Sequence, residues 1–228
     1  MTGVKLGLHA FVATFTVLAL ASVEAHDPIN SAVTWTGEIE RLVRARCVQC
    51  HVDGGRGPMS LATYEDARPW ARAIREEVLT RRMPKWHAAR GYGQFANDRS
   101  LTPFEIALFV AWVDSGAVRG PRRLALEDSG APSNNSDDHV RHVNMRCGER
   151  PLPRGRLLAL RPRLDERGSA GISVVLPDGT REVIAWIRGF ERKFEETYWL
   201  REPIDLPPGA RLSVEASGRC SVLLALAK

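Results

Sequence analysis

The sequence predicts an α + β chain of two domains: an all-α domain over 26–120, then a small antiparallel β-sandwich over 139–228, joined by a linker at 121–138. Three observations predict this order. Up to about residue 116 the apolar residues recur at helical spacing behind N-cap signatures. From residue 139 onward, short runs rich in β-branched residues are separated by turns such as "PDG" and "PPG". Between them "RGPRRLALEDSGAPSNNSDDH", residues 119–139, is rich in Gly, Pro, Ser, Asn and Asp and lacks periodicity over most of its length, the composition of a linker. There is no internal repeat.

The first element is "MTGVKLGLHAFVATFTVLALASVEAHD". One lysine precedes an apolar run from about Leu6 to Val23, and Val-Glu-Ala precedes His26, which reads as a signal peptide over 1–25, cleaved after Ala25. The run approaches spanning length, so an uncleaved membrane anchor is the alternative. No other stretch is apolar for long enough to span a bilayer. About 200 residues remain, which suits two small domains better than one large one. Removing the segment takes away Lys5 and Glu24, leaving 31 basic against 26 acidic side chains and the same net charge of +5. The arginine-heavy excess is spread along the chain, a solvated surface suited to steering an acidic partner. No nucleic-acid module is present, so no nucleic-acid partner is expected.

Three helical stretches follow. "GEIERLVRAR" comes first. "YEDARPWARAIREEVLTRR" opens at Thr63 with Asp66 three residues on, a capping box. "TPFEIALFVAWVDSG" has Thr102 as N-cap, Pro103 at the first helical position, Glu105 closing the box and Gly116 ending the helix. Its residues Ile106, Phe109, Val110 and Val113 repeat at helical spacing and predict the packing face.

Directly after the first helical stretch stands "RARCVQCHVDGG". Cys-x-x-Cys-His is the attachment signature of a c-type haem. Cys47 and Cys50 would add across the vinyl groups, and His51 would lie under the iron as proximal ligand. A thioredoxin-like pair normally opens a helix after a strand, whereas this pair follows a helix. A zinc knuckle needs a second ligand pair at comparable spacing, and Cys147 and Cys220 lie far off and far from each other. One covalent haem c is therefore the expected cofactor, with zinc or a structural disulfide as the alternatives. Because haem c is attached after export, the signal peptide and the motif support each other and predict a periplasmic or otherwise exported protein.

For the sixth iron position the best candidate is Met83, in "RRMPKWHAARGYG", 32 residues after His51 and past one helix, with Pro84 ending that helix. The alternative use of a methionine is as core filler, against which stand the neighbouring charges Arg81, Arg82 and Lys85. Met59 follows the motif too closely to reach the opposite haem face, and His87 is the competitor for the axial role. A His/Met pair raises the haem potential and leaves no position for oxygen, which fits electron transfer.

The stretch "CVQCHVDGGRGPMSLATYEDARPWARAIREEVLTRRMPKW" with "GQFANDRSLTPFEIALFVAWVDSGAVRG" resembles the small exported cytochrome c domains often fused to copper type II, ascorbate-dependent monooxygenase-like domains. The resemblance covers about 34–120, including the Met-Pro-x-Trp and Asp-Arg-x-Leu-Thr elements. It implies an all-α cytochrome c fold with Met83 as axial ligand, and Trp86, Tyr64, Arg68 and Trp70 near the haem or its propionates. Ordinary packing and solvated charge are the alternative for these four.

In the C-terminal half, "ISVVLP", "REVIAWI" and "RLSVEA" read as strands, and residues 156–216 look like the C-terminal sandwich of the same copper monooxygenases. The chain departs from that pattern at the metal. Where the family has a His-x-His pair, "PRLDERG" has Arg163 and Asp165, the latter expected to pair with Arg161 or Arg167. His139 and His142 are the only histidines of this half, on a stretch that alternates like a strand, so no copper site is expected. Cys147 and Cys220, near the first and last strands, are expected to form a disulfide in an oxidising compartment; two buried thiols are the alternative.

These readings converge on a periplasmic cytochrome that passes single electrons to a redox partner protein, its sandwich serving as a docking or binding module without catalytic residues. No stable membrane span is expected after signal removal. A copper-dependent monooxygenase fed by its own haem domain is the competing class, which leaves open whether the chain is an enzyme. A haem-based sensor, requiring a displaceable Met83, is a third.

Overall fold

A threonine hydroxyl starts three of the helical segments. Thr34 accepts the Gly37 N–H at 3.1 Å and opens a π-helical turn, Trp35–Ile39, that runs into α1 (Glu40–Arg46). Thr63 caps α2 (Tyr64–Ala67), and Thr102 caps α4 (Pro103–Asp114), both through complete capping boxes with Asp66 and Glu105. These observations come from a computed structural model that describes residues 33–121 and 140–227. The expected signal segment, most of the linker and His139 lie outside the described residues.

The stretch expected as one helix from Tyr64 is interrupted. A 3-10 turn, Arg68–Trp70, separates α2 from α3 (Ala71–Leu79). Pro69 is the physical reason: its nitrogen carries no hydrogen and its ring displaces the preceding turn. Arg81 then adopts φ 55° and ends the helical run. α4 ends as expected, with Gly116 at φ 93°, a conformation that favours glycine.

The packing face of α4 differs from the expected one. Ile106 and Phe109 are buried, but their buried companions are Leu108 and Trp112, while Val110 and Val113 are only half-buried. A helix apolar on nearly every side gives spacing nothing to choose between, and aromatic packing decides. Trp112 lies 5.8 Å from Trp35, which in turn meets Tyr64 edge-on at 6.0 Å. The chain leaving α4 closes over this cluster: the Trp112 indole N–H donates to the Val118 carbonyl and the Tyr64 hydroxyl to the Ala117 carbonyl, each at 3.0 Å.

The second half consists of eight strands: β1 (Val140–Arg146), β2 (Gly148–Pro151), β3 (Gly155–Leu164), β4 (Ala170–Val175), β5 (Arg181–Ile187), β6 (Tyr198–Leu206), β7 (Arg211–Ala216) and β8 (Cys220–Ala227). They form two four-stranded sheets, ordered β1-β8-β3-β6 and β2-β7-β4-β5, with every pairing antiparallel. First pairs with last, second with seventh, third with sixth and fourth with fifth, which is jelly-roll order. The expected antiparallel sandwich is thus present. Inward residues such as Leu157, Leu160, Ile172, Leu212 and Leu224 are wholly buried between the sheets. Cys147, in the corner after β1, is disulfide-bonded to Cys220 at the start of β8, with Cα atoms 5.6 Å apart.

Residues 86–97 join the two halves. On one side the Ala89 N–H donates to the Trp186 carbonyl and Arg188 N–H to the His87 carbonyl, extending β5. On the other, Ala96 N–H donates to the Trp199 carbonyl and Arg201 N–H to the Gln94 carbonyl, extending β6. β5 and β6 are edge strands of different sheets, so one segment covers both edges. Its side chains Trp86, Ala88 and Phe95 belong to the sandwich core, and the described residues form one compact unit.

Candidate functional site

Cys47 caps the C-terminal end of α1, its N–H donating to the Val43 carbonyl at 2.8 Å. Its own carbonyl accepts from both Cys50 and His51 N–H at 3.0 Å, which folds Cys-Val-Gln-Cys-His into a closed turn. The two thiols are free, and burial pushes that of Cys47 up to about 12, only partly offset by Arg46. This is the reverse of a thiol–disulfide oxidoreductase, whose attacking cysteine sits at a helix N-terminus with a depressed pKa.

His51 is oriented from behind. Its Nδ1 lies 3.1 Å from the Met59 carbonyl, and since a carbonyl only accepts, Nδ1 carries a proton, which in the neutral ring leaves the lone pair on Nε2. Gly57 packs against the ring so closely that a Cβ there would come within 2.6 Å of Nδ1, so residue 57 has no room for a side chain. The Met59 carbonyl is thereby held beside Nδ1.

Of the two candidates for an opposing donor, His87 is committed elsewhere. It is buried, its Nε2 accepts the Glu191 N–H at 3.3 Å, and its ring packs 5.5 Å from Phe190 of the sandwich. Burial holds its pKa below the ordinary 6.5. Met83 is half-buried in the loop after α3, joined to Pro84 by a cis peptide bond, with its N–H donating to the Glu77 carbonyl at 3.2 Å. Arg82 beside it is drawn onto Glu76 and Glu77, and that hydrogen bonding holds the Glu77 carboxyl below its usual range.

Two of the four other residues assigned by resemblance have defined surroundings. Tyr64 is bound to Trp35 and Ala117, with the Arg119 guanidinium 5.1 Å over its ring. Trp86 lies edge-on to Tyr198 at 4.8 Å and 6.1 Å from Phe95, on the sandwich side. Trp70 is 44 % exposed, and Arg68 is exposed beside it.

Residues that spacing did not single out tie these parts together. Arg99, 93 % buried, donates to the Gln49 side chain within the Cys-x-x-Cys turn and to Glu196 of the loop before β6. Its guanidinium also stacks 5.4 Å from the Trp86 ring. Glu196 further meets Arg56 at 3.7 Å, just past His51. Asn97 reproduces a strand pairing with its side chain, donating to the Thr197 carbonyl at 2.7 Å and accepting the Trp199 N–H at 3.0 Å. The only sequence signal for Arg99 was its place in the Asp-Arg-x-Leu-Thr element.

At the positions departing from the copper pattern, Arg163 meets Glu195 at 3.2 Å, as does Arg161 at 2.6 Å. Asp165 does not pair with Arg161 or Arg167 as expected. It accepts the Arg219 N–H at 3.0 Å, because it lies beyond β3 in the turn facing the start of β8, while Glu195 occupies the arginines of the strand. His142 is exposed on β1. No group of three or more His, Cys, Asp or Glu side chains that could hold a metal ion occurs among the described residues, and no helix among them is long and apolar enough to cross a membrane.

No protein-family model and no curated protein matches the chain. Among solved structures it is similar to a pentameric capsid protein isolated from metagenomic phage sequences, at 10 % identity and a TM-score of 0.26, over 48 % of this chain and 82 % of that one.

Proposed function

We propose that this protein is an exported monohaem c-type cytochrome that passes single electrons, with its jelly roll as a docking or binding module. The observation that carries the reading is His51: Nδ1–H anchored on the Met59 carbonyl and Nε2 without a hydrogen-bond partner among the described residues, directly after two free thiols in one closed turn. A ligating histidine needs its other ring nitrogen fixed in this way to set tautomer and orientation. The residues fit a covalent haem. Cys47 and Cys50 would hold it by thioether bonds, His51 would be the proximal ligand, and Met83 the distal one, since His87 is engaged with Glu191 and Phe190. The helical half leaves Val110 and Val113 half-buried and Trp70 and Leu79 exposed.

When bound, the haem supplies a one-electron couple. With haem bound, His51 and Met83 would be the protein donors to the iron, and a thioether donor favours the reduced state. The sandwich takes no part in chemistry under this reading: Arg163 is a fixed cation that cannot ligate copper.

The test is the mass and colour of the exported protein. It should exceed the mature chain by one haem, and the colour should survive acid acetone. Colour stripped by that treatment overturns the proposal. In the ferric protein Met83→Ala should abolish the weak long-wavelength Fe–S band and lower the potential. An unchanged Met83→Ala spectrum beside an altered His87→Ala spectrum moves the distal role to His87.

A further inference from the structure

A second site lies in the sandwich, away from the cysteine motif. An open depression of about 610 Å³ is lined by four arginines, Arg161, Arg163, Arg192 and Arg219, and by two carboxylates, Glu195 and Asp165. Phe190 and Leu164 are also in the lining. Strand alternation puts Arg161 and Arg163 on one face of β3. The loop before β6 brings Arg192 and Glu195, and the turn before β8 brings Arg219.

The charges do not balance. Glu195 is shared by Arg161 and Arg163. Asp165 lies 3.9 Å from the Arg219 guanidinium, a loose contact for a side chain 95 % exposed. Arg192 makes no ion pair among the described residues. Glu166 accepts the Arg192 backbone N–H at 3.2 Å and is not part of the lining. Four guanidinium groups therefore face two carboxylates, an excess of two positive charges inside one concavity. The Arg161 Nε, though 2.6 Å from Glu195 Oε1, is buried without an acceptor in hydrogen-bonding geometry, so Glu195 leaves part of this donor set unmet. Guanidinium forks match the paired oxygens of carboxylate and phosphate groups, and a volume of this size is that of a small-molecule site.

We propose that this depression binds a small dianion with a phosphate or carboxylate head group. Two negative charges complete its balance, and the planar forks set the preference for oxyanions over halide. The proposal is independent of haem, because every residue it uses belongs to the sandwich.

The test is calorimetric titration of the full mature protein at constant ionic strength. The probes are inorganic phosphate, phenyl phosphate and succinate, with chloride as the halide control. Saturable one-to-one binding of at least one oxyanion is expected, with the three probes separating a phosphate from a carboxylate site and a free ion from an organic ester. The double variant Arg163→Gln, Arg219→Gln should weaken it about tenfold or more. Arg156→Gln, removing an exposed cation at the other end of β3, should leave it unchanged. Should the double variant fail to fold, Arg192→Gln, an exposed residue without an ion pair among the described residues, carries the same expectation. The proposal is overturned by no saturable binding up to on the order of 10 mM, by chloride binding as well as the oxyanions, or by equal affinity in all variants.

Discussion

The two halves of this chain satisfy the hydrophobic effect in different ways. The jelly roll buries its large apolar side chains against each other and fastens its first corner to its last strand with a disulfide. The helical half, with about as many described residues, leaves Phe104 65 %, Leu79 46 % and Trp70 44 % exposed, besides half-buried Val110 and Val113. Burial of one such side chain is worth about 1.5–3 kcal/mol. The sandwich has collected most of that energy internally, leaving Val183 and Trp186 38 % exposed. The helical half has not, and it is also the half that carries free thiols and an oriented imidazole.

Removing the disulfide should produce the largest effect. Closing a loop across 73 residues of sequence constrains the unfolded chain by about 4 kcal/mol on the chain-entropy model. In Cys147→Ala, Cys220→Ala the unfolding free energy read from the strands should fall by that amount; an unchanged value would leave the sandwich held by its core alone. Thiol titration of the unfolded, unreduced parent should find neither of these two cysteines free.

Arg99→Ala attacks the connection between the halves. It strands Glu196 without its closest cation and removes the link to Gln49, at a cost of about 3 kcal/mol. Helical circular dichroism and sandwich fluorescence should lose stability together. Loss by one probe alone would show that the halves unfold independently.

Thr102→Ala removes the hydroxyl that accepts the Glu105 N–H and should cost about 1 kcal/mol, detected first in the helical signal.

The smallest effect is on acid stability. His87 is held neutral by burial, with Glu191, Glu166 and Glu196 opposing the shift and Lys85 assisting it. Its folded pKa lies below 6.5, so its contribution is complete above pH 6.5 and is lost as the pH falls below that value. Protonation would turn Nε2 into a second donor facing the Glu191 N–H. Denaturant midpoints should decline on acidification from pH 6.5, and His87→Gln should flatten the decline. A parallel decline in the variant would assign it to other groups.

What could be read in the sequence was local. Thr63 with Asp66 and Thr102 with Glu105 satisfy backbone donors three residues away, so their pattern states their geometry. Cys47, Cys50 and His51 share one turn for the same reason. Pro69 was equally local, yet the apolar period across it hid the interruption. Arg99 meets Gln49 50 residues away and Glu196 97 residues away, contacts that no periodicity encodes. The double edge pairing of 86–97 was illegible for another reason: "HAARGYGQFAN" has the composition of a loop, and becomes strand-like only because two sheet edges present unpaired backbone groups. The arginine depression likewise needs β3, β8 and the loop before β6 to converge.

The pairing of first strand with last fixes a schedule. As the chain is made from its N-terminus, β1 has no neighbour until β8 exists, and the segment 86–97 has no edge to join until β5 and β6 have formed. Non-local pairing of this kind is slow, because loop closure must precede the contacts that reward it. The turn holding Cys47, Cys50 and His51 needs only α1 and the next ten residues or so, with Met59 the farthest partner of its imidazole. The thiols are therefore assembled into their turn while Glu196, which later reaches in beside them through Arg99 and Arg56, is still unmade. Completion of the jelly roll then adds the Arg99 and Arg56 contacts to Glu196 beside a turn whose two sulfur-bearing residues stay half-buried.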